Sequence, residues 1–304
     1  MTPTLNGVCL LSHLGVIAID GDDAATFLQG QMTQDFALLD MAHARLAAYC
    51  TAKGRMQASF IGIRTATGFL LVTSRGILPA TLKRLSMFVM RAKAKLRDAT
   101  AEFDLHGLAG DGADSAFAQA AEPWDRAQAG DASLVRLYPA DGRPRALRIA
   151  PAGGLPPEGP ALDASVWDWG EVRAGIATIT APIVEAFVPQ MLNYESVGGV
   201  NFKKGCYPGQ EIVARSQFRG TLKRRAWLGH CDGALAAGQE VFHESDPGQP
   251  CGTVAQAAPS PDGGWDAIVS IQLSATQGGA VRIAPAGGPA LQLTPPPYPL
   301  LADV

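Results

Sequence analysis

Hydrophobic and polar residues alternate along most of this chain in short runs, with few long helical stripes. Leu10 to Ile19 reads as a strand, and Asp20, Gly21 and Asp22 as a turn and helix start. Ala24, Phe27, Leu28 and Met32 then recur at helical spacing. Ala44 to Thr51 and Met56 to Arg64 read as strands about a turn at Ala52–Gly54, and Phe69 to Thr73 as a third. Ile77 to Arg91 carries the strongest helical pattern, with Pro79 in its first turn and Leu78, Leu82, Leu85, Phe88 and Val89 as its apolar stripe. Leu96 to Ala109 alternates again, and a short Ala-rich helix is expected near Asp114 to Ala121. Leu134–Tyr138 and Arg145–Ile149 form a strand pair about Asp141–Gly142, followed by a Pro/Gly connector over Pro151–Pro160 and a helix over Ala164–Arg173. After Arg225 come short apolar runs at 226–228, 240–242, 253–255, 267–271, 281–283 and 291–293, separated by Gly, Pro and Asp turns, which predict a small antiparallel barrel. Strands interrupted by helices, with returns between segments, predict an α+β body over residues 1–225 and a β-barrel over 226–304.

The segment Val200 to Arg225, VNFKKGCYPGQEIVARSQFRGTLKRR, breaks this texture: it is the most polar and most basic part of the chain. Lys203 and Lys204 precede Gly205 and Cys206, and Tyr207–Pro208–Gly209 make a turn by composition. A helix is expected from Gln210, with Ile212 and Val213 on one side and Glu211 and Arg215 four apart on another; Gly220 is a C-terminal stop. Cys206 is thus expected in a loop just ahead of a helix N-terminus with two ammonium groups nearby, a setting that favours thiolate over thiol. The plain alternative is a small buried cysteine on a turn among surface lysines. Upstream, Gln29, Gln31, Thr33, Gln34 and Asp35 cluster amides and hydroxyls at a helix end. They suit a heteroaromatic ring with many donors and acceptors, such as a pterin, or else an ordinary solvated helix terminus.

Composition narrows the function classes. The 304 residues are 47% hydrophobic and 17% charged, enough to bury a sizeable core, and the net charge of −3 provides no global field for nucleic acid or membranes. A nucleic-acid contact would have to use the local strip Lys203–Arg225; the cations Lys83, Arg84, Arg91, Lys93, Lys95 and Arg97 read as a solvated face. The five cysteines (Cys9, Cys50, Cys206, Cys231, Cys251) show no C-x-x-C or Cys/His spacing, which argues against a disulfide scaffold, a zinc site or a resident iron–sulfur cluster. No secretory or transit segment and no apolar run of membrane length is visible, so a reduced, cytoplasmic setting is expected. Neither G-x-G-x-x-G nor a Walker A sequence occurs.

KGCYPGQEIVAR resembles the signature K-G-C-[aromatic]-x-G-Q-E-x-x-x-R of the YgfZ family. FLQGQMTQD (27–35), YCTAKGRM (49–56) and FVPQMLNYESVGGVNF (187–202) are similar to that family in the same order. The resemblance implies a T-protein-like, multi-lobed α+β body of two interleaved lobes with a C-terminal antiparallel β-barrel. It implies tetrahydrofolate or a folate derivative as ligand, and iron–sulfur enzymes or their assembly machinery as partners, with tRNA modification affected through them. Cys206 and Lys204 are then the working groups. Gln29, Gln31, Thr33, Asp35, Arg173, Asn193, Lys203, Tyr207, Gln210, Glu211 and Arg215 are the candidate folate-site residues.

One departure bears on chemistry. The glycine-cleavage T-protein carries an aspartate just after the residues matching Lys53–Met56; here Gln57, Ala58, Ser59 and Phe60 follow, and none is a carboxylate. A pterin-contacting glutamate of that family matches Arg173, with Glu171 two residues away. Aminomethyl transfer therefore lacks its acid/base group, which leaves three readings: a folate-binding accessory protein for iron–sulfur enzymes, an aminomethyltransferase, or an RNA- or protein-binding module using residues 203–225.

Overall fold

The computed structural model describes residues 4–117, 121–218, 222–285 and 287–301. In chain order the first elements are β1 (Gly7–Leu10), β2 (Leu14–Asp20), α1 (Ala24–Gln29), β3 (Ala44–Cys50), β4 (Met56–Arg64), β5 (Gly68–Ser74), α2 (Leu78–Ser86) and β6 (Lys95–Asp98). Next come β7 (Phe103–Ala109), α3 (Asp111–Ser115), β8 (Arg126–Ala129), β9 (Ala132–Ala140), β10 (Arg143–Pro151), α4 (Ala164–Arg173) and α5 (Gln210–Phe218). The barrel strands are β11 (Arg224–Cys231), β12 (Glu240–His243), β13 (Asp246–Pro259), β14 (Trp265–Gln272), β15 (Val281–Arg282) and β16 (Ala290–Thr294).

Two five-stranded antiparallel sheets form the body, ordered β3-β4-β5-β2-β6 and β1-β7-β10-β9-β8. The chain enters through the second sheet, builds the whole of the first, and returns, so the two lobes are interleaved by β1. The third unit is a closed barrel, β11-β14-β13-β12-β15-β16, whose first strand follows directly on the polar segment. The fold is thus α+β with a six-stranded antiparallel barrel. One core lies under α1 and the long irregular stretch 174–200, where Phe36, Tyr49, Phe60, Leu192 and Tyr194 are all fully buried. A second core fills the space between the sheets, with Trp167 and Leu147 among its fully buried members. Each such side chain contributes roughly 1.5–3 kcal/mol by leaving water.

Several expected elements are shorter or divided. The 10–19 run is cut at Leu11–His13, and its two parts pair in different sheets. The 96–109 run is likewise divided by a 3-10 turn at Thr100–Glu102. Period-2 alternation marks strands but does not say which sheet a strand joins. The helix at 77–91 ends at Ser86. Beyond it the backbone bonds tighten to three-residue spacing (Met87 N–H to Arg84 O, Phe88 N–H to Leu85 O), and Met90 takes a left-handed φ of 43°. Residues 118–120 of the Ala-rich helix, and the stop at Gly220, lie outside the described residues. Met32 leaves the helix that ends at Gln29 and instead bridges to Tyr49. The helix over Ala164–Arg173 forms as expected, with the Asp163 carboxylate accepting from the Ser165 amide. No helix among the described residues is long and apolar enough to cross a membrane.

Candidate functional site

The polar segment is folded back against the first sheet by groups from both sides. Gly209 has φ +82°, and a Cβ there would lie 2.4 Å from the Thr51 carbonyl oxygen and 2.7 Å from the Gly54 backbone. Only glycine permits that approach of the 207–209 turn to the β3–β4 turn. From Gly209 the chain enters α5, whose Val213 is buried while Ile212 is exposed at its edge, so these two neighbours do not share a face. The Gln190 amide donates to the Val213 carbonyl oxygen at 2.7 Å and fixes α5 against the body.

Lys204 is the anchor of the loop. It is only 7% exposed, and its Nζ donates to the Met32 carbonyl at 2.7 Å and to the Gln29 carbonyl. The ammonium also sits 4.8 Å above the ring of buried Tyr207. Burial pushes the Lys204 amine down to about 8, against the opposing pull of Asp35 and Cys206. Lys203, by contrast, is exposed; its backbone amide donates to Asn201 Oδ1 at 2.8 Å. Cys206 is exposed, whereas Cys9, Cys50, Cys231 and Cys251 are buried. Burial drives Cys50 up to about 12 and Cys9 up to about 11, the latter with help from Asp168 and Asp163. Cys206 is therefore the one thiol both accessible and adjacent to a buried cation.

The 29–35 string serves as the receptor of this loop. Thr33 Oγ1 donates to Gly199 O at 2.6 Å and accepts from the Ala48 amide at 2.8 Å. Gln34 Nε2 donates to Gly198 O, and the Asp35 amide donates to Gln34 Oε1. Asp35 Oδ1 accepts from Leu38 N, and Gln29 Oε1 from Phe36 N and Ala37 N. Gln31 Oε1 is buried with no partner among the described residues. Asn193, left-handed at φ 59°, clamps the barrel: its amide donates to Ala226 O at 2.8 Å and its Oδ1 accepts from Ala226 N. Arg173 pairs with Asp141 at 2.8 Å, between the β9–β10 hairpin and the barrel. Gln210 opens α5, and Glu211 and Arg215 face solvent 3.9 Å apart. The structure thus brings 29–35, Lys204, Cys206 and Tyr207 together at one end of the first sheet and places Arg173 and Asn193 at the junctions with the barrel.

A cavity between the two sheets is lined by none of the residues that the sequence offered for the folate site. The cavity is narrow: about 60 Å³ of it admits the centre of a water molecule. Phe60, Trp124, Leu137, Tyr138 and Tyr194 give it apolar and aromatic walls, and Ser59, Thr73, Arg145, Trp167 and Glu171 polar points. Arg145 pairs with Glu171 and stacks over Trp167, 4.4 Å from the ring centroid. Thr73 Oγ1, Arg145 Nε and Trp167 Nε1 are all buried without a partner among the described residues. Three orphaned donors on residues that line one cavity are unusual, because buried polar groups are nearly always satisfied. Arg145 was discoverable: strand alternation puts it on the same face as Leu147 and Ile149, a charge on an apolar stripe. Of the four residues at 57–60, which follow the block resembling the T-protein pattern, Ser59 and Phe60 line this cavity, and the carboxylate lining it is Glu171 from α4.

No family model matches the chain. The crystal structure of the glycine cleavage system aminomethyltransferase T from Bartonella henselae superposes with a TM-score of 0.70 at 17% identity, over 96% of this chain and 86% of that one. Body, barrel and connectivity therefore define a protein of T-protein fold. Among curated sequences, the tRNA-modifying protein YgfZ of Edwardsiella ictaluri is 30% identical over 301 residues, 93% of this chain and 89% of its own length. The protein of the same name from Colwellia psychrerythraea is 33% identical over 224 residues, 70% of this chain and 68% of its own. The chain belongs to the YgfZ family.

Proposed function

We propose that this protein is a folate-binding accessory factor that supports iron–sulfur enzymes, among them enzymes that modify tRNA, with Cys206 as its working group. The observation that carries the folate part is the inter-sheet cavity with its three orphaned buried donors. A pterin is flat and presents ring-nitrogen and carbonyl acceptors on some edges and an adjacent pair of N–H donors on another. Thr73, Arg145 Nε and Trp167 Nε1 match the acceptors, the Glu171 carboxylate matches the donor pair, and the aromatic walls match the faces. A ring of that size enters by displacing lining side chains, since little of the space is open to water centres.

Bound folate would supply a one-carbon carrier; the chain's own residues supply position and a thiol. Lys204 holds the loop through two backbone carbonyls, and the loop presents Cys206 to solvent, open to a partner's cluster; Cys206 does not line the inter-sheet cavity. Aminomethyl transfer is disfavoured because residues 57–60 provide no carboxylate. The name shared by the relatives, tRNA-modifying protein, fits this role through cluster-dependent modifying enzymes; the acidic balance of the chain speaks against RNA as the direct ligand. The test is made in cells lacking the protein, by measuring the activity of an iron–sulfur tRNA-modifying enzyme. Wild type restores it and Cys206→Ser does not. Full restoration by Cys206→Ser removes the thiol from the function.

A further inference from the structure

After β16 the chain crosses back from the barrel to the body as a strap, residues 295–301, of which Tyr298 alone is buried. Pro295, Pro296, Pro297 and Pro299 have no N–H to donate and hold their φ near −65°, so the strap is stiff and joins no sheet. Tyr298 is its plug. The hydroxyl donates to the Gly175 carbonyl at 2.7 Å and accepts from the Asn193 amide at 3.4 Å. The ring meets Tyr138 edge-on, 5.7 Å between centroids. Gly175, at φ +73°, leaves no room for a side chain: a Cβ there would lie 2.9 Å from Pro297 Cδ and 3.1 Å from the Tyr298 ring. At the far end the Leu301 amide donates to Ser196 Oγ at 2.9 Å, and the Leu301 carbonyl accepts from Arg225 at 3.2 Å. What the strap presses on belongs to the wall of the inter-sheet cavity. Tyr138 lines that cavity, as do Ala174, Ile176, Ala177 and Thr178 on either side of Gly175. The strap contributes no lining residue of its own, so it holds the wall from behind.

We propose that residues 295–301 are a latch on the inter-sheet cavity. Tyr298 leaves its seat together with the strap, and its release frees Tyr138 and the 174–178 stretch to part and admit a ligand. One buried side chain and the hydrogen bonds at Tyr298 and Leu301 hold the strap shut, which places its release among the low-free-energy local openings of a fold. The proline run makes the strap swing as one piece and reseat with little entropy lost. That a folate ring is the ligand rests on the function proposed above; the opening does not.

The test follows exchange of indole N–H groups with water, by NMR of the full chain carrying isotope-labelled tryptophan. Trp167 Nε1, on a cavity-lining residue, and Trp227 Nε1, in the barrel, are both buried without a partner among the described residues. The first reports on opening of the cavity and the second on opening elsewhere. Tyr298→Phe keeps the ring and deletes both hydroxyl bonds; it speeds exchange at Trp167 about tenfold. Leu301→Pro removes the amide bond to Ser196 without touching Tyr298 and speeds the same exchange about three- to fivefold. Trp227 keeps the wild-type rate in both variants. Tetrahydrofolate associates with Tyr298→Phe faster than with the wild type by a similar factor. Faster exchange at Trp167 with no folate binding to either protein removes the folate reading and leaves the latch standing. An unchanged Trp167 rate in Tyr298→Phe, or equal acceleration at Trp167 and Trp227, overturns the latch.

Discussion

Replacing Lys204 by Met removes the anchor of the Cys206 loop while keeping its apolar stem. Two backbone carbonyls, Gln29 and Met32, lose their donor, and each such buried orphan costs about 1–3 kcal/mol. Loss of the ammonium from the Tyr207 face costs about another 0.5–2 kcal/mol. Against this, the charge no longer has to be buried: burial holds the amine at about 8 instead of 10.5, a penalty of about 3–4 kcal/mol at roughly 1.4 kcal/mol per pK unit. The expected net loss is about 2 kcal/mol, which lowers the melting temperature by about 4–8 °C for a protein of this size.

The pH dependence gives a second readout with a defined sign. Because the folded amine titrates below the unfolded one, the unfolded chain holds more protons between pH about 8 and pH 10.5. Stability contributed by this group therefore rises with pH across that window and is level below it. Subtracting the Lys204→Met profile from that of the wild type isolates the group from other titrations. Circular-dichroism melts from about pH 7 to about pH 11 suffice. A variant that melts with the wild type and shows no difference in slope refutes the anchor.

Three further outcomes are expected. Gly209→Ala destabilises the protein by 3 kcal/mol or more in order of magnitude, since its Cβ meets backbone at 2.4 Å, whereas Gly205→Ala, with nothing within 4 Å, changes the melting temperature little. Asn193→Ala loses both bonds to Ala226 and leaves those groups buried, a cost of about 2–4 kcal/mol that shows in thermal melts and in faster proteolysis at the body–barrel junction. Brief alkylation of the native protein near neutral pH adds one label, on Cys206, by peptide mass spectrometry; labelling of Cys50 or Cys9 before unfolding contradicts their burial.

The sequence carried the architecture further than the site. Alternation found the strands of both sheets, and the six short apolar runs after Arg225 match the six barrel strands because turns of Gly, Pro and Asp punctuate each one. It could not show that β1 leaves its neighbour for the other sheet, since pairing partners are set by tertiary packing. At the site, the KGC block was legible as a loop before a helix. The partners of the 29–35 string were not: Thr33, Gln34 and Gln29 looked ready for a ligand, yet their hydrogen bonds run to Gly199, Gly198, Phe36 and Ala37. Polar residues that bind another stretch of the same chain and polar residues that bind a ligand have the same composition. Thr73 and Trp167 were silent for the opposite reason, each being an ordinary member of a strand or helix until the other sheet closes over it.

A folate ring in the inter-sheet cavity would satisfy the orphaned donors of its lining residues. Calorimetric titration of tetrahydrofolate into wild type, Thr73→Val and Trp167→Phe tests it directly. Both substitutions remove an unpaired buried polar atom, so neither should weaken the fold through lost hydrogen bonds. Saturable one-site binding to the wild type is expected, and binding about five- to tenfold weaker in each variant at an unchanged or raised melting temperature. No binding to the wild type, or equal binding to all three proteins, contradicts it.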